Sequence, residues 1–566
     1  MSVQLHFLNE DIRICVPAET SLLEAQRLAG LIPDAPCGGK GTCGKCIVDI
    51  RTDPTAPWQR VKACAFRADR DLTVRTLSGK DTLQILNQGE ASLLPTWNPW
   101  VQAIRLQLDP CSAGVSTSNW HLLTSALNRA VAPQNWHADT QLLAGLGDLI
   151  RCAKGTVWAY ICEDRILALS ESHLPVYMAA FDLGTTSLAG YLVNETGTVA
   201  RAGMPNPQAQ FGADVILRAN HAVKNGVEAL TGCVREALDD LLGQLCDQAG
   251  IQRHQIMAVS LVGNTCMHHL FLGITPSSLV SLPYSPTFRD AAIFDCADYG
   301  LHAHPNARLL MLPVIAGFVG ADTVGCLLAC DWEHREKITL MIDIGTNGEL
   351  VLGNRHRMIA CSTAAGPAFE GALISCGMRG TPGAIDHVRL EDGIIRYSVI
   401  GDGKAEGLCG SGLIDLIAVL LKTEKLDSSG RMNDGKVFHL EGTEVSLTQK
   451  DVRQVQLAKA AIYAGIHLLA QSYGIPLQKI EEVLIAGAFG TYMDPDSACA
   501  ISLIPAELRD RIRPIGNAAG EGAKLPLMDR SAWDCACRLA DQTEFLELAS
   551  FPDFQDTFVD SLEFFE

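Results

Sequence analysis

No uninterrupted apolar stretch reaches about 18 residues in this 566-residue chain, so the sequence offers no membrane-spanning helix. Its start, "MSVQLHFLNEDIRICV", lacks a basic region followed by an apolar run, and no export signal is expected. Positive charge is also in short supply. Against 45 Lys and Arg stand 64 Asp and Glu, a net charge of −19, which argues against nonspecific binding to nucleic acid or to an anionic membrane. What is present suits a folded protein: 48% hydrophobic and 19% charged residues, in a length that accommodates about three to five domains. Twenty cysteines without an export signal fit a reducing cytoplasm, where clustered thiols bind metal and the others are buried.

The densest cysteine cluster is "CGGKGTCGKC", residues 37 to 46. Cys37, Cys43 and Cys46 have the spacing C-x5-C-x2-C, and Cys64 follows in "VKACAF". Four thiolates so arranged suit a [2Fe–2S] cluster, for which the plant-type pattern is C-x4-C-x2-C…C; this loop is one residue longer. Gly38, Gly39, Gly41 and Gly44 let the backbone fold tightly and turn N–H groups toward sulfur. A structural zinc site is the alternative, although such sites usually show two C-x2-C pairs and only one is present. No Lys-Ser/Thr follows the glycines, so a phosphate loop is excluded. Around the loop, residues 3–7 and 12–16 alternate as a hairpin, "TSLLEAQRLAG" predicts a helix with a Ser21…Glu24 capping box, and "IVDI" and "LTVRTL" read as strands. Together they make a β-grasp ferredoxin plan over residues 1–78.

Residues 79–100, polar and proline-bearing, read as a linker. Residues 101–175 alternate strand and helix patterns in a small α/β middle domain without chemical motifs. From residue 176 the chain repeats itself. "VYMAAFDLGTTSLAGYLVN" (176–194) has a near-copy in "ITLMIDIGTNGELVLGN" (338–354), and "IMAVSLVGNTCMHHLF" (256–271) resembles "IEEVLIAGAFGTYM" (480–493). Two pairs in the same order predict a duplicated α/β unit, with lobes over 176–335 and 336–566 facing each other across a cleft.

The repeated Asp-Φ-Gly-Thr hairpin has the makings of a phosphate site. Asp182 ends a strand, Gly184 opens the turn, and Thr185 and Thr186 present N–H groups and hydroxyls to phosphate oxygens. Asp182 would hold Mg²⁺ directly or through water. Asp343, Gly345, Thr346 and Asn347 repeat the arrangement. In "LIAGAFG", Gly487, Ala488, Phe489 and Gly490 form a turn over which a nucleoside can approach the backbone. The helix start at Gly410, Ser411 and Gly412 offers an anion site or a plain tight junction.

The paired hairpins with "LIAGAFG" resemble the acetate and sugar kinase, heat-shock ATPase and actin superfamily, whose lobes are RNase-H-like. The full series resembles one family within it, the reductive activators of corrinoid proteins: "CGGKGTCGKC", "FDLGTTS", "VGNTCMHHLFLGI", "IAGFVGADTVG", "MIDIGTNGEL", "GLCGSGLIDL", "LIAGAFG" and "GNAAGEGA" all look like its blocks. The resemblance runs over essentially the whole chain. It implies an ATPase that returns a corrinoid protein from Co(II) to Co(I) for methyl transfer. It also implies cluster ligation by Cys37, Cys43, Cys46 and Cys64, and an ATP and Mg²⁺ site on the two hairpins and the "AGAFG" turn. Its further implications are an upstream electron donor and a homodimer formed through the ATPase domain.

Two rival functions remain at this level. Asp322 in "GFVGADTVG" resembles the place where sugar kinases keep a catalytic carboxylate, so a small-molecule kinase with a redox-sensing ferredoxin is one. Asp322 also suits positioning of Mg²⁺ or water, or capping of the next helix. A non-enzymatic electron carrier with a docking-only ATPase fold is the other. His268 and His269, adjacent in sequence, and the Cys535–Cys537 pair carry no chemistry.

Overall fold

In the computed structural model the N-terminal alternation folds as a hairpin, β1 (Ser2–Phe7) and β2 (Ile12–Pro17), followed by helix α1 (Leu22–Leu28). Ser21 Oγ accepts from the Glu24 amide at 3.2 Å and so starts α1. Strands β3 (Ile47–Arg51), β4 (Gln59–Lys62) and β5 (Leu72–Thr76) complete a five-stranded sheet ordered β2-β1-β5-β3-β4, with β1 and β5 parallel at its centre. That is the order of a β-grasp. Leu5, Phe7, Leu22, Leu23, Val48 and Val74 fill its core. The structure describes the chain except residues 1, 32, 34, 36–38, 40, 42–44, 54, 77–88, 90–96, 109–116, 346 and 566, and the side chains of Asp402 and Ala488. Cys37, Cys43, Gly38, Gly44 and Thr346 therefore lie outside the described residues.

Of the linker, Gly89 pairs with Gly516, and the Asn98 and Trp100 amides donate to the Met528 and Leu527 carbonyls, both at 3.0 Å. The small module consists of β6 (Gln102–Gln107), α2 (Asn119–Ala130), α3 (Thr140–Cys152), β7 (Thr156–Cys162) and β8 (Arg165–Ser170). Its three strands form an antiparallel sheet, β8-β7-β6. Helix α3, absent from the sequence reading, starts at Asp139, whose carboxylate accepts from Leu142 N at 2.6 Å. Arg165 donates to Asp295 at 2.7 Å and ties the module to the unit that follows.

The first lobe runs through β9 (Tyr177–Leu183), β10 (Ser187–Asn194), β11 (Gly197–Pro205), α4 (Val215–Asn225), α5 (Glu228–Ala249), β12 (Ile256–Gly263), α6 (Thr265–Leu272), β13 (Ala292–Asp295), β14 (Arg308–Met311) and α7 (Ala321–Ala329). The second contains β15 (Thr339–Ile344), β16 (Gly348–Asn354), β17 (Arg357–Thr363), β18 (Ala384–Glu391), β19 (Ile394–Val399), α8 (Gly410–Lys422), α9 (Gln449–Tyr473), β20 (Glu482–Ala486), α10 (Gly487–Tyr492), α11 (Pro495–Ala500), β21 (Ile512–Gly516), α12 (Ala518–Met528), α13 (Arg530–Gln542) and β22 (Thr543–Phe545). The two main sheets are β11-β10-β9-β12-β14-β13 and β21-β20-β15-β16-β17-β22. Counted within each lobe, five strands share the order third-second-first-fourth-fifth, with the first three antiparallel and the last two parallel to the first. The duplication read in sequence is thus a duplication of sheet topology, on the ATPase fold that the hairpins announced.

Strand β12 is buried along its whole length, as a parallel strand covered on both faces requires. One apolar core joins the lobes through α7 and α12, drawing on Met178 and Ala180 from the first sheet and Met341 and Val351 from the second. The helices cross where a Cβ on Gly522 would collide with the Gly325 carbonyl, so only glycine permits this approach. Among the described residues no helix is long and apolar enough to cross a membrane.

Candidate functional site

Both Asp-Φ-Gly-Thr hairpins open into one cavity of about 600 Å³, a size within the usual range for a small-molecule site. Asp182 and Asp343 stand at equivalent strand ends, and Gly184, Thr185, Thr186, Gly345 and Asn347 line the wall beside them. Asp322 comes from the first turn of α7, whose N-cap is Gly320, and its carboxylate accepts from the Thr323 amide at 2.8 Å. Gly410, Ser411, Gly487 and Phe489 complete the expected set in the wall. Gly412 and Gly490 are not among the wall residues. A Cβ on Gly412 would strike the Ile385 carbonyl and one on Gly490 the Ile485 side chain, so both face protein. The side chain of Ala488 lies outside the described residues.

Several wall residues were not singled out by sequence reasoning. Asn264 and Asn517 each follow a strand-ending glycine and cap the next helix, accepting from Met267 N at 3.0 Å and Gly520 N at 2.8 Å. Each spends its amide N–H on the first hairpin: Asn264 donates to Thr185 Oγ1 and Asn517 to Asp182 Oδ2, both at 2.9 Å. Glu370 accepts from Thr186 Oγ1 at 2.5 Å and so bridges the lobes. Arg218, fully buried in α4, donates to the Thr185 carbonyl at 2.6 Å and steadies the same turn from behind. Glu349, one strand from Asp343, adds a further carboxylate. The asparagines carried a signal after all, the Gly-Asn step that ends a strand and starts a helix.

Carboxylates crowded into one cavity are costly without a cation. Burial pushes Asp182 and Asp343 up to about 6, and repulsion from Asp182 adds to the rise at Asp343. Asp322 is raised to about 7 by burial and then by Asp343. Glu349 is raised well above the usual range, first by burial and then by Asp322 and Asp343. Among the described residues no three His, Cys, Asp or Glu close to metal-ligand spacing. That donor set fits Mg²⁺, which keeps several waters and takes one or two carboxylates together with ligand phosphates. The wall also carries an apolar patch, with Phe369 and Phe489 stacked at 5.2 Å and Met378 and Tyr492 in the same lining.

In the N-terminal module Cys46 is buried and Cys64 half-buried. They flank paired strand ends, Ile47 opposite Lys62, and the Cys46 carbonyl accepts from Ala63 N at 2.7 Å. Gly39 and Gly41 both take positive φ, 91° and 76°. Two cysteines on neighbouring stretches of backbone, joined by the Ala63 to Cys46 hydrogen bond, suit part of a four-thiolate site. His268 and His269 are buried; His269 uses both ring nitrogens, toward the Thr265 carbonyl at 2.7 Å and the Thr287 amide at 2.9 Å. Burial lowers His268 to about 3, so it stays neutral in the core.

Comparison with known proteins finds relatives along the whole chain. Residues 177–335 match the family model described as the RACo middle region, and residues 337–566 match the C-terminal domain of RACo, the ASKHA domain. The corrinoid activation enzyme RamQ of Eubacterium limosum is 33% identical, over 99% of this chain and 98% of its own length. The [Co(II) methylated amine-specific corrinoid protein] reductase of Methanosarcina barkeri is 26% identical over 69% of this chain and 77% of its own. A solved structure of a reductive activator for a corrinoid, iron–sulfur protein superposes with a TM-score of 0.76 at 29% identity, covering 99% of this chain and 98% of that one. With a site built on the same two-lobed core and a relationship that extends across the N-terminal module, the chain belongs to the family of corrinoid reductive activators.

Proposed function

We propose that the protein is an ATP-dependent reductive activator of a corrinoid protein, an ATPase that passes one electron from a [2Fe–2S] cluster to inactive Co(II) corrinoid and restores Co(I) for methyl transfer. The observation that carries this reading is the shared cavity, where two copies of a phosphate-type hairpin and a cluster of carboxylates meet in a chain related to corrinoid activators from end to end. Cys37, Cys43, Cys46 and Cys64 would hold the cluster, which supplies one-electron chemistry when bound. Asp182 and Asp343, with Asp322, would hold Mg²⁺ through water and phosphate. Thr185, Thr186, Thr346 and Asn347 would bind phosphate oxygens, and the Gly487–Gly490 turn with Phe489 would receive the nucleoside.

The physical need for ATP lies in the potentials. Co(I) is a strong reductant, and each 59 mV of uphill one-electron transfer costs a factor of about ten. Lobe closure on a nucleotide switches the shape of the molecule and can offset such a gap in the complex with the partner. Residues 1–78 would form the ferredoxin domain, 79–100 the linker, 101–175 the middle domain, and 176–335 and 336–566 the ATPase lobes. The family relationship also supports an upstream electron donor, cytoplasmic residence and a homodimer formed through the ATPase lobes.

The test mixes the anaerobically purified, cluster-loaded chain with Co(II) corrinoid protein, a reductant and Mg-ATP, and follows the cobalt spectrum. Conversion to Co(I) that requires ATP is the expected result. Equal conversion without ATP, or none with any corrinoid partner, overturns the reading.

A further inference from the structure

One of the hydrogen bonds that join the lobes ends one residue away from a contact that holds the N-terminal module. Thr186 Oγ1 donates to Glu370 at 2.5 Å. The next carbonyl, that of Gly371, is 3.4 Å from Lys45 Nζ, and the Gly377 carbonyl accepts from the same ammonium at 2.8 Å. Lys45 immediately precedes Cys46. Residues 370–380 thus face two ways, toward the cavity through Glu370, Met378 and Arg379, and toward the N-terminal module through two carbonyls.

The two acceptors of Lys45 lie on one closely packed segment. Gly371 takes φ +77°, a Cβ there would stand 2.5 Å from the Met378 carbonyl, and a Cβ on Gly377 would collide with the Gly371 carbonyl. A displacement of one acceptor of Lys45 presses on the backbone that carries the other. The Thr186 hydroxyl has a single proton to donate. A phosphate oxygen at this hairpin claims that proton and sets negative charge beside the Glu370 carboxylate, which then loses a donor and meets repulsion.

We propose that Glu370 and Lys45 are positioning residues through which a nucleotide in the cleft releases the N-terminal module from the second lobe. This rests on the nucleotide reading of the cleft. Linkage makes the effect reciprocal: docked Lys45 weakens nucleotide binding by the factor by which nucleotide weakens docking. The order imposed on the proposed reaction is nucleotide first, then a module free to present Cys46 and its neighbours to a partner.

The experiment uses the full chain, a non-hydrolysable fluorescent ATP analogue with Mg²⁺, and an amine-acylating reagent read by mass spectrometry. In the wild type the analogue raises the labelling rate of Lys45 roughly fivefold or more, the scale of ordinary allosteric coupling, while that of exposed Lys404 stays constant. E370A labels fast at Lys45 with or without analogue. K45A binds the analogue about fivefold tighter or better. If the analogue binds and wild-type Lys45 labelling does not change, this inference falls and the nucleotide reading survives. If no adenine nucleotide binds at all, both fall.

Discussion

The two Asp-Φ-Gly-Thr hairpins are near-copies in sequence and in topology, yet the protein treats them differently. In the first, Asn517 holds Asp182, Asn264 holds Thr185, Glu370 holds Thr186, and Asn206 Nδ2 donates to the Gly184 carbonyl at 2.8 Å. Two of those partners, Asn517 and Glu370, come from the opposite lobe. In the second hairpin the turn closes on itself, Gly345 N to the Asn347 carbonyl at 2.9 Å. Among the described residues no hydrogen bond engages the carboxylate of Asp343. Duplication therefore conserved the place of each aspartate and separated the tasks. The first copy is tied to the relative position of the lobes, and the carboxylate of the second has no such tie among the described residues.

The strongest break of this comparison removes one carboxylate at a time. D343N is expected to lower ATP hydrolysis by roughly 100- to 1,000-fold, since a bound cation supplies several kcal/mol of charge stabilisation. D182N, whose oxygen is already shared with an amide, should lower it about tenfold, and phosphate release measures both. Equal losses would mean that the copies do the same work.

A finer cut removes the tether and spares the carboxylate. N517A leaves Asp182 in place without the amide that orients it, and a loss of about tenfold in turnover is expected, the usual scale for a ligand's supporting partner. The double variant D182N/N517A should be no worse than D182N, because the two residues act through one contact. Additive losses in turnover would show that Asn517 works independently of Asp182.

Why the aspartates were legible and their partners were not is a matter of range. The hairpins announce themselves within seven residues, and so do helix starts such as Ser21, because capping is local. Asn517 meets Asp182 from 335 residues away, and Glu370 meets Thr186 from 184. An asparagine before a helix reads as a cap, and the sequence is silent on where its spare N–H points. Helix α3 escaped notice because "TQLLAGLGDLIRC" contains two glycines, poor helix formers that here cost less than the burial of Leu146 returns. Gly412 and Gly490 looked ligand-facing because glycine-rich loops so often are. Their missing side chains admit the Ile385 carbonyl and the Ile485 side chain instead.

The smallest expected effect is a displacement along the pH axis, and it too separates the copies. Asp182, Asp343 and Asp322 sit at about 6, 6 and 7 in the folded chain, above the ordinary carboxylate value, so the cation-free fold prefers them protonated. Their contribution to stability is fully present below the unfolded value near 4 and is lost as pH rises through 6 to 7. Mg²⁺ takes the ionised forms, so the rise in Tm that it gives with an ATP analogue should grow over the same interval. Asp343 owes part of its rise to repulsion from Asp182, whereas burial alone raises Asp182 and the Asn517 hydrogen bond lowers it. D182N should therefore move the midpoint of the Mg²⁺ effect toward lower pH while reducing its size. D343N should reduce the size, leave Asp182 unmoved and act on the position through Asp322, whose rise owes more to Asp343 than to Asp182, so what remains shifts by a different amount. Thermal unfolding of both variants between about pH 5 and 8 reads the difference, and identical midpoints would erase the asymmetry between the hairpins.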